Sequence, residues 1–213
     1  MKKLTIATAA VFAALFAASS ASAKLINFAA EATGNERGVA DGTILNTAAL
    51  GGINLEFSAG IGGASRDFAY FNSPTGTGQP GAPAGLGTCT RLDAAAQCTP
   101  SYDDVVSTNE WVQVGFVDAP FKVAQLAFNQ PTGDLPSGLL KITTSLNSIV
   151  SVVTMSIAQA SSTNFGFVDW IRFEFVDTEF VVASISNVPV PGALTLLLSG
   201  LAGLGFAARR KKA

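Results

Sequence analysis

Carboxylates are the residues of this chain best placed to do chemistry. The densest group is Asp103-Asp104, followed closely by Asn109-Glu110. Hard oxygen ligands at a strand entrance suit Ca2+. The spacing matches no EF-hand loop, however, and adjacent aspartates on a strand point to opposite faces. Asp103, Asp104 and Glu110 therefore carry two readings: a calcium site, or a solvated turn in which Asp and Asn side chains bond the local backbone. Asp169, Glu174, Asp177 and Glu179 form a second acidic group. Glycoside hydrolysis would need two of them to face each other across a sugar. Here Glu174 reads as an outward partner of Arg172, and 177–179 as a turn. Aromatic residues offer a third chemistry, since Trp111, Trp170, Tyr70 and Tyr102 could stack on saccharide rings. With 15 phenylalanines in the chain, core packing explains most aromatic positions. Trp170, beside Arg172 on an outward face, is the one that asks for a test.

What is missing narrows the classes further. The chain has no histidine, which removes Ser-His-Asp and Cys-His nucleophile systems and His-based zinc or copper sites. Gly60-Ile-Gly62-Gly63 lacks the lysine and following helix of a phosphate cradle. The two cysteines, Cys89 and Cys98, are not in C-x-x-C spacing. An even count in an exported chain reads as a disulfide, worth roughly 2–3 kcal/mol for so short a loop. The expectation is a protein without enzymatic activity or cofactor, Ca2+ being the one metal to consider.

Charge is unevenly distributed. All 15 acidic residues lie between 24 and 188, whereas six of the 13 basic ones (Lys2, Lys3, Arg209, Arg210, Lys211 and Lys212) lie outside that range. The body therefore carries seven cations against 15 anions, a net of −8, hidden beneath the overall −2. Such a body argues against nucleic acid and anionic lipid surfaces as partners.

The ends read as addresses. Met1-Lys2-Lys3, an Ala-rich apolar run and Ala21-Ser22-Ala23 predict a signal peptide over 1–23, with signal peptidase cutting before Lys24 after delivery by the general export machinery. At the other end, Val188-Pro189-Val190-Pro191-Gly192 precedes an apolar run over 193–208 and the cluster Arg209-Arg210-Lys211-Lys212-Ala213. At 1.5 Å per residue that run spans about 24 Å against a hydrocarbon core of ~30 Å; extended 188–192 and snorkelling cations supply the rest. Cations stay on the cytoplasmic side. The tail 188–213 is thus predicted to hold a transmembrane helix (193–208) with 209–213 inside and the body outside, the orientation the signal peptide also demands.

These ends resemble the PEP-CTERM family of exported bacterial proteins, most strongly over 188–213. The resemblance implies sorting by an exosortase, a membrane-embedded cysteine protease that cuts near the Pro-x-Pro motif. The protein would be held transiently at the inner membrane and then passed to the cell surface or exterior. The family usually has Glu at the centre of the motif, where this chain has Val190. The stretch from Gly85-Leu-Gly87-Thr-Cys89 through Asp103-Asp104 to Glu110 is also similar to a segment of PEP-CTERM bodies; it names no activity.

Between the addresses, helical periodicity is nearly absent and two-residue alternation dominates. Candidate strands fall at 24–30, 53–57, 68–71, 111–117, 123–128, 140–146, 149–157, 167–176 and 180–185. The fold expected for 24–187 is an all-β, antiparallel β-sandwich of jelly-roll-like topology. A Pro/Gly-rich surface loop over 73–100 carries the disulfide. Two functions fit: an exported envelope or extracellular-matrix protein without catalysis, or a lectin-like module for exopolysaccharide, assisted by calcium.

Overall fold

Two-residue alternation is the organising pattern of this computed structural model, which describes residues 23–73, 83–101, 103–130 and 137–188, with the backbone alone at Ser65 and Arg66. In β4 (Leu55–Ile61), Leu55, Phe57 and Ala59 are buried and Glu56 is exposed. Val112, Val114 and Phe116 of β7 (Glu110–Phe116), Leu140 and Ile142 of β10 (Leu139–Leu146), and Ile171 and Phe173 of β13 (Trp170–Phe175) continue the same buried face. Register aligns them, Ala59 opposite Val112, Val112 opposite Phe173 and Phe173 opposite Ile142.

All pairings are antiparallel. Among the described residues the main sheet has 12 strands, and it curls along β5 (Ala64–Asn72). The start of β5 pairs with β4; from Phe68 onward it pairs with β6 (Gly85–Cys89), and Ala69 to Phe71 also pair with β2 (Arg37–Val39). Beyond β6 comes β14 (Val181–Ser186), flanked by β1 (Leu25–Asn27) and β9 (Gln125–Asn129). In the other direction β4 leads through β7, β13 and β10 to β11 (Ile149–Ser156), with β3 (Thr43–Leu45) beside β4. A separate pair joins β8 (Phe121–Val123) to β12 (Gly166–Val168). Edge-on ring contacts close the core across the curl: Phe57–Phe71 at 5.2 Å and Phe128–Phe173 at 5.8 Å.

Several sequence expectations need correction. The first candidate strand stops at Asn27, because Asn27 Oδ1 accepts the Ala30 N–H at 2.9 Å and caps a short helix, α1 (Phe28–Ala32). The strand at 149–157 stops at Ser156, where a Ser156/Gln159 capping box starts α2 (Ile157–Ser162). The runs at 123–128 and 167–176 are each broken, at Ala124 and Asp169, so that their halves serve different sheets. The largest departure lies in the 73–100 segment. It contains β6, buried at every residue. Glycine makes this possible, since a Cβ on Gly87 would stand 2.3 Å from the Asp104 carbonyl oxygen. Residues 1–22, 74–82 and 189–213 lie outside the described residues, and with them most of the predicted signal, the transmembrane run and the basic end. No helix among the described residues is long and apolar enough to cross a membrane.

Candidate functional site

The outward face of β4, β7, β13 and β10 carries the polar side chains that alternate with the core. Cross-strand register sets them in rows: Glu56–Gly115–Trp170–Ser145, then Ser58–Gln113–Arg172–Thr143, then Gly60–Trp111–Glu174–Lys141. Arg172 organises the middle. Its guanidinium lies 3.8 Å from the Trp111 ring centroid and 5.8 Å from that of Trp170, and its Nε–H donates to Gln113 Oε1 at 3.1 Å. Burial lowers the Arg172 pKa from its ordinary value, and Glu174 opposes that shift. Trp111 is covered, its indole N–H donating to the Gly62 carbonyl at 2.9 Å. Glu174 is not the partner of Arg172 that the sequence pattern indicated. Its ion pair is cross-strand, with Lys141, because these two face each other in register.

In the first row, Gly115 leaves a gap between Glu56 and Trp170. A Cβ there would sit 3.4 Å from Glu56 Cβ, so the missing side chain opens a cleft of about 200 Å³ lined by Glu56, Gln113, Phe116, Asp169 and Trp170. Asp169 is held in place, its Oδ2 accepting the Asn147 N–H at 2.6 Å. A half-buried indole beside two carboxylates and an amide suits a small neutral polyol: a flat apolar face for stacking, and acceptors for hydroxyls. Sequence reasoning identified Trp170 and Asp169 but not Glu56, Gln113 or Gly115. The available signal was a glycine in mid-strand between Val114 and Phe116.

The disulfide corner is a different environment. Cys89 and Cys98 are bonded, with Cα atoms 5.8 Å apart. Tyr70 is buried against them. Its hydroxyl donates to Glu36 Oε1 at 2.8 Å, and burial drives its pKa upward, so it is a core residue and no stacking platform. Tyr102 lies outside the described residues. Asp104 is 9 % exposed, and burial, followed by repulsion from Glu36, pushes its carboxyl up to about 6. Glu110 is buried, with Oε2 accepting the Ser107 N–H at 2.7 Å and lying 2.8 Å from Thr88 Oγ1; burial again raises its pKa. Asp103 caps the strand exit through the backbone N–H and hydroxyl of Thr90. Asp67 is 4 % exposed with Oδ2 unpartnered, and burial, then the Asp103 charge, raises its pKa.

Asp103, Asp104 and Glu110 thus share a corner, but their ligand atoms do not converge as a triad. Among the described residues, the one three-residue group within mutual reach is Cys89, Cys98 and Asp103, whose sulfurs are spent on the disulfide. The second acidic group is likewise dispersed. Asp169 precedes β13 while Asp177 and Glu179 follow it, at the opposite end of a strand about 20 Å long. Asp177 Oδ1 accepts the Leu139 N–H at 2.6 Å.

The residues next to the two predicted addresses meet at a third place. Leu25 pairs with Ser186, and the Lys24 N–H donates to Asn187 Oδ1 at 2.8 Å. Ala23, Lys24 and Val188 are exposed there, beside a cavity of about 500 Å³ lined by Lys24, Ile53, Pro120, Phe121, Phe167 and Val188. Ala21, the Pro189-to-Gly192 motif and the cluster Arg209 to Lys212 lie outside the described residues. No family model, curated protein or solved structure matches this chain.

Proposed function

We propose that this chain is an exported, non-enzymatic envelope or extracellular-matrix protein of the PEP-CTERM type, sorted through its C-terminal tail, with a jelly-roll-like β-sandwich as its body. The observation that carries this reading is the pairing of Leu25–Asn27 with Ser184 to Ser186. The strand after the predicted signal cleavage and the strand before the Pro-x-Pro motif lie side by side, and Lys24 and Val188 are both exposed at that corner. Signal peptidase and an exosortase-type protease would each find an accessible end on a body whose core stays closed. Mass spectrometry of the mature protein tests this: the first residue is Lys24 and no peptide extends beyond about Gly192. Intact Arg209 to Ala213 recovered from the culture supernatant refutes it.

A second reading follows from the cleft over Gly115: the body binds saccharide there. The two carboxylates, Glu56 and Asp169, select neutral sugars over uronic acids, because like charges repel. Titration of indole fluorescence with neutral oligosaccharides and with polygalacturonate tests it. The neutral series quenches Trp fluorescence in a way that Trp170→Ala and Gly115→Val both abolish. Equal response of Gly115→Val and the parent protein refutes the cleft. EDTA separates a calcium-assisted lectin from a metal-independent one.

A further inference from the structure

The main sheet ends at β11, and among the described residues no strand covers that edge. Edge strands are normally blunted by charge, proline or brevity. β11 has none of these defences. It is eight residues long, and no charged residue or proline stands between Lys141 and Asp169. Its side chains are exposed on both faces: Ile149 76 %, Val150 55 % and Val152 60 %.

The hairpin fixes which backbone groups face outward. Asn147 and Ser148 both have positive φ, 52° and 66°, and form a two-residue turn between the paired Leu146 and Ile149. The pair flanking such a turn is hydrogen-bonded, so Ser145/Val150 and Thr143/Val152 are non-bonded pairs. Two observations agree. The Ser145 carbonyl, turned away from β11, accepts the Asp169 N–H at 2.6 Å. At the far end, the Ser156 N–H, turned away from β10, is taken by Gln159 Oε1 at 3.1 Å. The backbone groups directed at the open edge therefore belong to Val150, Val152 and Thr154.

We propose that β11 pairs antiparallel with β11 of a second copy of this chain, with a two-fold axis at Val152. That register sets Val152 against Val152 and Val150 against Thr154 of the other copy, using every outward donor and acceptor that Gln159 leaves free. Ile149 falls opposite Met155, and Ser151 opposite Val153. Moving the axis to Ser151 brings the turn residue Ser148 into the ladder; moving it to Val153 brings in the capped Ser156. The symmetry of the edge identifies the partner: its outward groups lie at equal steps either side of Val152, so a second copy matches each donor to an acceptor. Bodies with a net charge of −8 repel one another over most of their surface, and this uncharged edge is where two can meet without opposing like charges. A single-strand contact is small, so the pairing is weak and reversible, closed at two copies by its symmetry.

Cysteine trapping in the detergent-extracted full-length chain tests this, independently of export. In an antiparallel pair, residues on the axis have Cβ atoms about 5 Å apart. Under copper-phenanthroline oxidation, Val152→Cys shifts to dimer mass on a non-reducing gel, while exposed Lys122→Cys stays at monomer mass. Val150→Cys alone stays monomeric, and mixing it with Thr154→Cys restores the dimer. Val152→Lys, a change at an exposed position, removes the association seen by light scattering and leaves the circular dichroism unchanged. Equal trapping of Val152→Cys and Lys122→Cys, or trapping of Val150→Cys alone, overturns the proposal.

Discussion

Replacing Asp104 by Asn should make the protein more stable at neutral pH and leave it nearly unchanged in acid. The Asp104 carboxyl titrates at about 6 in the fold against 3.8 for the free group. The folded state therefore binds this proton more tightly than the unfolded chain does, and stability falls as pH rises from below 4 to above 6. A displacement of this size corresponds to about 3 kcal/mol at 1.36 kcal/mol per pH unit. That figure is a ceiling, because part of the shift is repulsion from Glu36, which salt screens. Asn keeps the size and an acceptor oxygen while removing the charge. The assay is urea unfolding of both proteins at pH 3.5 and pH 7.5. Relative to any difference in acid, the Asn variant gains about 1–3 kcal/mol at pH 7.5. Asp67 and Glu110 are also raised, but they contribute to both proteins and cancel in the comparison. A pH-independent difference, or an Asp form that becomes the more stable one as pH rises, refutes the reasoning. Adding CaCl2 at pH 7.5 separates the two readings of this corner: a cation held by Asp104 stabilises the parent protein and reverses the sign.

Other expectations are simpler. Phe173→Ala, which empties the contact with Phe128, costs about 3–5 kcal/mol, read as a lower urea midpoint. Changing both Cys89 and Cys98 to Ala costs about 2–3 kcal/mol, and reduction by dithiothreitol lowers the parent protein's melting temperature in the same sense. Glu31→Gln keeps an acceptor for Arg37 but removes the charge from its 2.8 Å partner in a half-buried site, and lowers stability by roughly 1–2 kcal/mol in thermal unfolding.

Strand content was legible where one face is wet. Residues 53–57, 140–146 and 171–175 alternate cleanly because one side meets core and the other water. β6 was hidden because it is buried on both faces and built of Gly, Leu and Thr, a composition shared with loops. The short helices were missed because each is set by one cap, Asn27 or Ser156, rather than by a periodic run. The cysteine pair was readable from parity. Trp170 and Asp169 were readable as types, but their cleft depends on Gly115 and on the cross-strand register with Glu56, which no local pattern encodes. Asp103 and Asp104 lie outside any strand, so strand alternation does not govern them: one caps the exit of β6 and the other is buried.

β14 has a consequence for the order of events during synthesis. It is the last strand among the described residues, yet it holds β1, β6 and β9, drawn from earlier parts of the sequence. Until Ser186 has left the ribosome these three lack their common neighbour, and the long sequence separations make closure slow. Within 23–188 the sheet thus stays open until its last strand has been made, so any step that needs these residues extended has its time window written into the strand order.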